Sequence, residues 1–411
     1  MRTLPVSGEN HTMSEPARDP YFQGIQSALA EAGAVGPTLV VDRGRLDANI
    51  ETLMNQLPAG MGYRIVAKSL PSPDLLAHVR RRTGTNRLMT FNQPMLQALG
   101  QLMPDTEQML GKPLSEAAVR THLAGLPEPR QQRADRIQWL ADTAERLDRY
   151  ERAAADFGVT LRINLELDVG LHRGGLVPGQ QLEEVLEHIR ESDWLGLAGF
   201  MGYEPHLASI PEFLGWRRRL LERARALYRS ALRQAESVFG AGTADRLTRN
   251  AGGSPTYRMH PDTAIANEVS VGSALVKPTH FDLPDLAQHQ PACFIATPVL
   301  KGPVPTRVPG LEWISGLGRL LRPKTASAIF IHGGNWLADP VDPPGLRYNR
   351  LLGRSSNQEM LNGDRRLAIQ PEEFVFLRPH QSEAVFLQFG DIAVYEDGAI
   401  EDWWPVLPPS A

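Results

Sequence analysis

Between about Tyr63 and Val276, short apolar runs alternate with amphipathic helical stretches, and no other feature limits the possible folds as much. The runs are Tyr63–Lys68, Arg87–Thr90, Glu107–Leu110, Arg136–Ala141, Val159–Leu167, Leu197–Gly202, Leu247–Ala251 and Glu268–Gly272. Strands separated by helices pair in parallel through crossovers rather than through hairpins. Eight such runs suggest a closed (β/α)8 barrel of the TIM type. The longest helical stretch, Phe213 to Phe239, sets Trp216, Leu220, Leu221, Ala224, Leu227 and Ala231 at helical spacing. Such a stripe is expected to face the protein's own core.

After about Pro278 prolines and glycines become frequent, and the strand-like runs are Cys293–Leu300, Ala328–Ile331, Glu373–Leu377, Ala384–Phe389 and Asp391–Tyr395. They read as a mostly β module, which the run Pro37–Asp42 is expected to join. Trp336–Asp364 reads as a long loop region. The fold class is therefore α/β: a TIM-type barrel with a second, C-terminal mostly-β domain. Residues 1–22 read as a disordered leader and 23–45 as a segment joining the β domain. The barrel is expected over 46–278 and the β domain over 279–411.

A chain of 411 residues, 42% hydrophobic and 22% charged, has enough apolar material for such a core. Its net charge of -4 gives no basic excess, so nothing argues for nucleic acid or an anionic membrane as a partner, and neither is expected. No stretch approaches the ~18 apolar residues of a membrane span, and the expected location is the cytoplasm. The single cysteine, Cys293, rules out an internal disulfide and a cysteine-based zinc site, and its apolar run suggests a buried structural thiol.

Catalytic groups of a barrel collect at the C-terminal ends of its strands. Lys68 closes the first run; an amine partly desolvated there is nucleophilic toward an aldehyde. Glu166–Gly175 follows the fifth, with glycines either side of His172 and Arg173. There Arg173 could hydrogen-bond a ring nitrogen or a carboxylate. Gly252, Gly253, Ser254, Thr256 and Tyr257 form a turn after the seventh whose amides and hydroxyls suit a phosphate. In the β module, Pro379–Glu383 offers His380 as a metal ligand or an acid–base group. Taken singly, each also fits an ordinary strand-end lysine, a surface turn, a plain loop and a hydrogen-bonded histidine.

In their order and spacing these motifs resemble the D-threonine aldolase/D-serine dehydratase-like branch of the fold-type III, alanine racemase-like enzymes. The resemblance extends from about Gly36 to Val406, and also rests on Thr38–Asp42, Gly199–Gly202, Asn267-Glu268, Gly272-Ser273 and Trp404–Val406. It implies pyridoxal 5'-phosphate (PLP) as cofactor, carried by Lys68 as a Schiff base. Arg173 would then approach the pyridine nitrogen, and the Gly252–Tyr257 turn would hold the phosphate. It also implies a homodimer acting on a small amino acid.

Two departures from the family pattern concern the metal. Relatives pair the histidine with an aspartate or cysteine two positions on, whereas Ser382 follows His380 here. The family's Glu-His-Gly segment reads Gln358-Glu359-Met360. Both argue against a divalent metal (Mn or Zn) on His380 unless Gln358, Glu359 or Glu383 stands in as a ligand, and otherwise leave that imidazole as a catalytic acid or base. The expected activity is a PLP-dependent lyase cleaving D-3-hydroxy amino acids to glycine and an aldehyde. The alternative is dehydration of D-serine or D-3-hydroxyaspartate to a 2-oxo acid and ammonia. A racemase comes third, because its Gly-Tyr-Ala-Asp-type segment is missing. A non-catalytic PLP-binding protein is the reading from another class.

Overall fold

The computed structural model describes residues 18–307, 309–310 and 323–408. Strand β1 (Thr38–Asp42) lies outside the barrel. The barrel closes in chain order through β2 (Gly62–Val66), β3 (Arg87–Thr90), β4 (Glu107–Leu110), β5 (Ile137–Ala141), β6 (Leu161–Leu167), β7 (Leu195–Gly202), β8 (Thr248–Ala251) and β9 (Glu268–Val271). Parallel pairing of Gly62–Ile65 with Glu268–Val271 completes the ring. Every expected barrel strand is present, most of them shifted at an end by one or two residues. Helices start promptly after several strands because Ser72, Asn92, Ser115 and Thr143 each cap the first turn by accepting a backbone N–H.

Apolar side chains between strands and helices form the main core, with Trp139, Leu140, Phe200 and Tyr228 buried. The barrel interior is instead polar and ionic. Arg64 is fully buried and pairs with Glu268 at 2.7 Å and Glu107 at 3.0 Å. Gln138 Nε2 donates to Glu107 at 2.7 Å, and Asn164 Nδ2 donates to Gln138 at 2.9 Å. Asn250 Nδ2 donates to Glu268 and Ser270, both at 2.8 Å. Buried charges require this degree of pairing, and the network fixes the inward side chains below the site.

The second architecture is a nine-stranded sheet. Its further strands are β10 (Cys293–Pro305), β11 (Ser327–His332), β12 (Ala338–Asp342), β13 (Arg347–Tyr348), β14 (Gln358–Gly363), β15 (Phe374–Pro379), β16 (Ile392–Glu396) and β17 (Ala399–Trp404). The main path runs β13-β14-β11-β10-β1-β16-β17, and β15 pairs with β10 and β12. Contacts divide the chain into two compact units. One holds Val41–Cys293, His380–Val394 and the residues from Asp402 on. Among the described residues, the other holds 18–40, Phe294–Pro379 and Tyr395–Glu401. Among the described residues, no helix is long and apolar enough to cross a membrane.

Several local readings change. Residues 1–17 of the expected leader lie outside the described residues, but a helix, Pro20–Glu31, opens inside that segment. Asp19 caps it, and Phe22 and Ile25 are buried on it. The run Ala384–Phe389 is not a strand: it forms one-turn helices at Ser382–Ala384 and Phe386–Gln388, although Val385 and Phe386 are buried. The Trp336–Asp364 region is not a loop but holds β12, β13 and β14. There Arg354 lies 3.7 Å from the Tyr348 ring centroid and pairs with buried Glu359. The long helix runs Trp216–Phe239, and its buried face is Ala224, Tyr228, Ala231, Leu232 and Ala235; Trp216 is 60% exposed. Cys293 is buried, as expected, and its thiol donates to the Val276 carbonyl at 3.5 Å.

Candidate active site

Strand β2 ends at Val66, and the single turn Ala67–Ser69 carries Lys68 onto the C-terminal rim of the barrel. Its amine lies 4.5 Å from the centroid of the Phe91 ring and 3.8 Å from Glu383 Oε1. Lys68 opens into a cavity of about 430 Å³ that Arg173, Gly252, Gly253 and Ser254 also line. Five of the eight residues singled out in the sequence therefore meet in one hollow at the strand ends.

The turn after β8 is built tightly. Gly252 has a φ of +73°, and a Cβ there would sit 3.0 Å from His260 Cδ2. His260 in turn pairs with Glu204 at 3.1 Å, both groups buried. A Cβ on Gly253 would meet the Tyr203 ring at 2.6 Å, so only glycine leaves that ring in place. Thr256 Oγ1 accepts the Gly253 N–H at 3.1 Å and braces the turn from beneath. Ser254 Oγ accepts from the Gly272 and Ala274 amides, which leaves its own proton to donate into the cavity. Thr256 and Tyr257 do not line the cavity: Tyr257 is 1% exposed, with its hydroxyl 2.9 Å from His289 Nε2.

Arg173 follows β6 on a loop held by Asp168, whose carboxylate accepts the Gly170 and His172 amides, both at 3.0 Å. A Cβ on Gly175 would come within 3.0 Å of the Glu166 carbonyl oxygen, so the glycine allows the loop to fold back on its strand. The Arg173 guanidinium stands 5.6 Å from the Tyr203 ring centroid and 4.0 Å from Glu166 Oε1. Burial raises the Glu166 pKa above the ordinary carboxylate range, with Arg173 opposing. Burial also pushes Tyr203 up to about 12, helped by the charge of Glu204.

His380 does not line the cavity. Its ring stacks on His280 at 5.3 Å and 14°, and the chain turns after β15 so that Glu383 reaches the cavity instead. Ser382 is fully buried. Among the described residues, no group of three or more His, Cys, Asp or Glu side chains is arranged to hold a metal ion. Cavity residues that the sequence reading passed over include Ser69, Lys112, Asp142 and Asn250, while Glu383 was considered there only as a stand-in metal ligand. Lys112 and Asp142 each come within two residues of a barrel strand's end, so the strand-end rule could have found them. Glu383 carries no such local signal.

A PLP molecule suits this arrangement: an amine for its aldehyde, a glycine turn with no room for side chains, and a guanidinium on the same lining. The family model for the alanine racemase N-terminal domain matches residues 41–279. The chain therefore belongs to the alanine racemase-like, fold-type III family of PLP-dependent enzymes. A search of the curated proteins finds no match.

Similar solved structures include D-threonine aldolase from Filomicrobium marinum, with a TM-score of 0.71 and 17% identity, covering 90% of this chain and 94% of that one. D-threo-3-hydroxyaspartate dehydratase from Delftia sp. HT23 gives 0.67 and 16%, covering 91% and 98%. Alanine racemase from Clostridium difficile 630 gives 0.67 and 13%, covering 90% and 98%. At these identities the likeness shows the fold.

Proposed function

We propose that the protein is a PLP-dependent lyase that cleaves D-3-hydroxy amino acids to glycine and an aldehyde. When bound, the cofactor supplies the electron sink at Cα, and the protein selects the bond that breaks. Lys68 would carry the cofactor covalently, and its amine could serve as a base at Cα. Gly252, Gly253 and Ser254 hold the phosphate, Thr256 supports their turn, and Tyr257 anchors it from outside the cavity. Arg173, on the same lining, would lie against its ring.

The observation that carries a lyase over a racemase is the acid–base content of the cavity. Its one tyrosine among the described lining residues is Tyr203, whose burial makes the phenol harder still to ionise, whereas Asp142, Glu166 and Glu383 add carboxyl groups to the same lining. Carboxylates are suited to taking or giving the proton of a β-hydroxyl. Dehydration to a 2-oxo acid and ammonia is the second reading, and Glu166 favours it. A carboxyl group that keeps its proton above the ordinary range can donate it to a departing hydroxide. His380, outside the cavity, takes neither role in this proposal. A cytoplasmic homodimer remains part of it.

Product analysis of the PLP-loaded protein with D-threonine, D-serine and D-threo-3-hydroxyaspartate, each beside its L-form, tests the reading. Glycine and an aldehyde from the D-forms are expected. A 2-oxo acid and ammonia would replace the first reading with the second, and interconversion of D- and L-forms would replace both with a racemase.

A further inference from the structure

Lys68 shares its cavity with three carboxylates, and they are not equivalent. Asp142 Oδ1 accepts from Arg146 Nε at 3.1 Å, and Glu166 faces Arg173 at 4.0 Å. Glu383 faces Lys68. Both Glu383 oxygens are engaged by hydroxyls. Ser69 Oγ donates to Oε1 at 2.8 Å, and Ser382 Oγ donates to Oε2 at 3.4 Å. Ser273 Oγ donates to Ser69 Oγ at 2.9 Å, extending the chain of hydroxyls by one member. All three serines are buried.

A glutamate on a surface turn ordinarily samples many rotamers. Here two buried hydroxyls, those of Ser69 and the adjacent Ser382, hold the carboxylate before any ligand arrives, and Ser273 braces Ser69 from behind. We propose that Glu383 is the positioning residue of Lys68, a preset counter-ion that holds the lysine nitrogen at the cavity wall. The proposal rests on reading Lys68 as the cofactor lysine.

Its physical consequence has a definite sign. A carboxylate beside a nitrogen favours the protonated state of that nitrogen, so removing its charge lets the proton leave at lower pH. Lys112, Asp142, Glu166, Arg173 and Tyr203 line the same cavity, and His280 and His380 stack on each other beside the segment that carries Glu383. None of these changes in Glu383→Gln, which keeps the shape and an oxygen for Ser69 to bond.

The test is a pH titration of the visible absorbance of the PLP-loaded protein, which reports the protonation of the lysine-bound nitrogen. In Glu383→Gln the midpoint is expected to fall by roughly half to one pH unit, the size suited to a half-exposed pair. Glu383→Asp should restore most of the shift. Should Glu383→Gln fail to fold, Ser69→Ala removes the stronger orienting hydroxyl and should move the midpoint the same way by less. A midpoint unmoved in folded variants, with the cofactor still attached to Lys68, would overturn the role of Glu383 alone. Attachment to another lysine would overturn the reading of Lys68 and this proposal together.

Discussion

Gly253 is defined by what surrounds it. The Tyr203 ring fills the space a Cβ would need, so Gly253→Ala must push aside either the ring or the turn. Tyr203 lies beside Arg173, and both would lose their places in the cavity. The expected result is PLP affinity weakened about tenfold or more, with thermal stability close to the parent's. Spectrophotometric PLP titration beside a melting curve checks this, and unchanged affinity would remove the turn from the cofactor site. Residues such as Gly253, Lys68 and Arg173 were legible in the sequence because each sits one short step beyond a strand. Glu383 was not, because its approach to Lys68 depends on the chain returning after more than three hundred residues.

At the scale of elements, periodicity identified the barrel strands but not every buried face. The long helix keeps Trp216 exposed because Leu214, at a φ of +54°, breaks the turn just before it and resets which face packs. The region from Trp336 to Asp364 looked like a loop because its strands are short and carry Pro340 and Asn362. Pairing with β11 and β15, not local pattern, makes them strands.

The helix Glu116–Ala124 buries His122 edge-on against Trp139 at 5.7 Å, with neither ring nitrogen hydrogen-bonded. Burial lowers its pKa from 6.5 to about 4. Above pH 6.5 the folded and unfolded states are both neutral there. As pH falls from 6.5 toward 4 the unfolded state gains a proton that the folded state refuses, so stability is lost on acidification. Urea unfolding of His122→Leu should show a shallower loss between pH 7 and 4.5 than the parent, by a few kcal/mol at most. Parallel pH profiles would refute this assignment.

For the whole molecule, the division into a barrel and a β sheet was readable because the two parts use different periods, 3.6 with crossovers against short paired runs. Where the chain passes between them was not, since His380–Val394 belongs with the barrel unit although it follows the β strands in sequence. The entire chain contains five lysines, at 68, 112, 277, 301 and 324. Two of them, Lys68 and Lys112, line the cavity, which makes the attachment point of the cofactor a sharp question. Borohydride reduction of the PLP-loaded protein followed by peptide mapping answers it. The structure predicts the reduced adduct on Lys68 and its loss in Lys68→Ala; an adduct on Lys112 or any other lysine would contradict the assignment of the site.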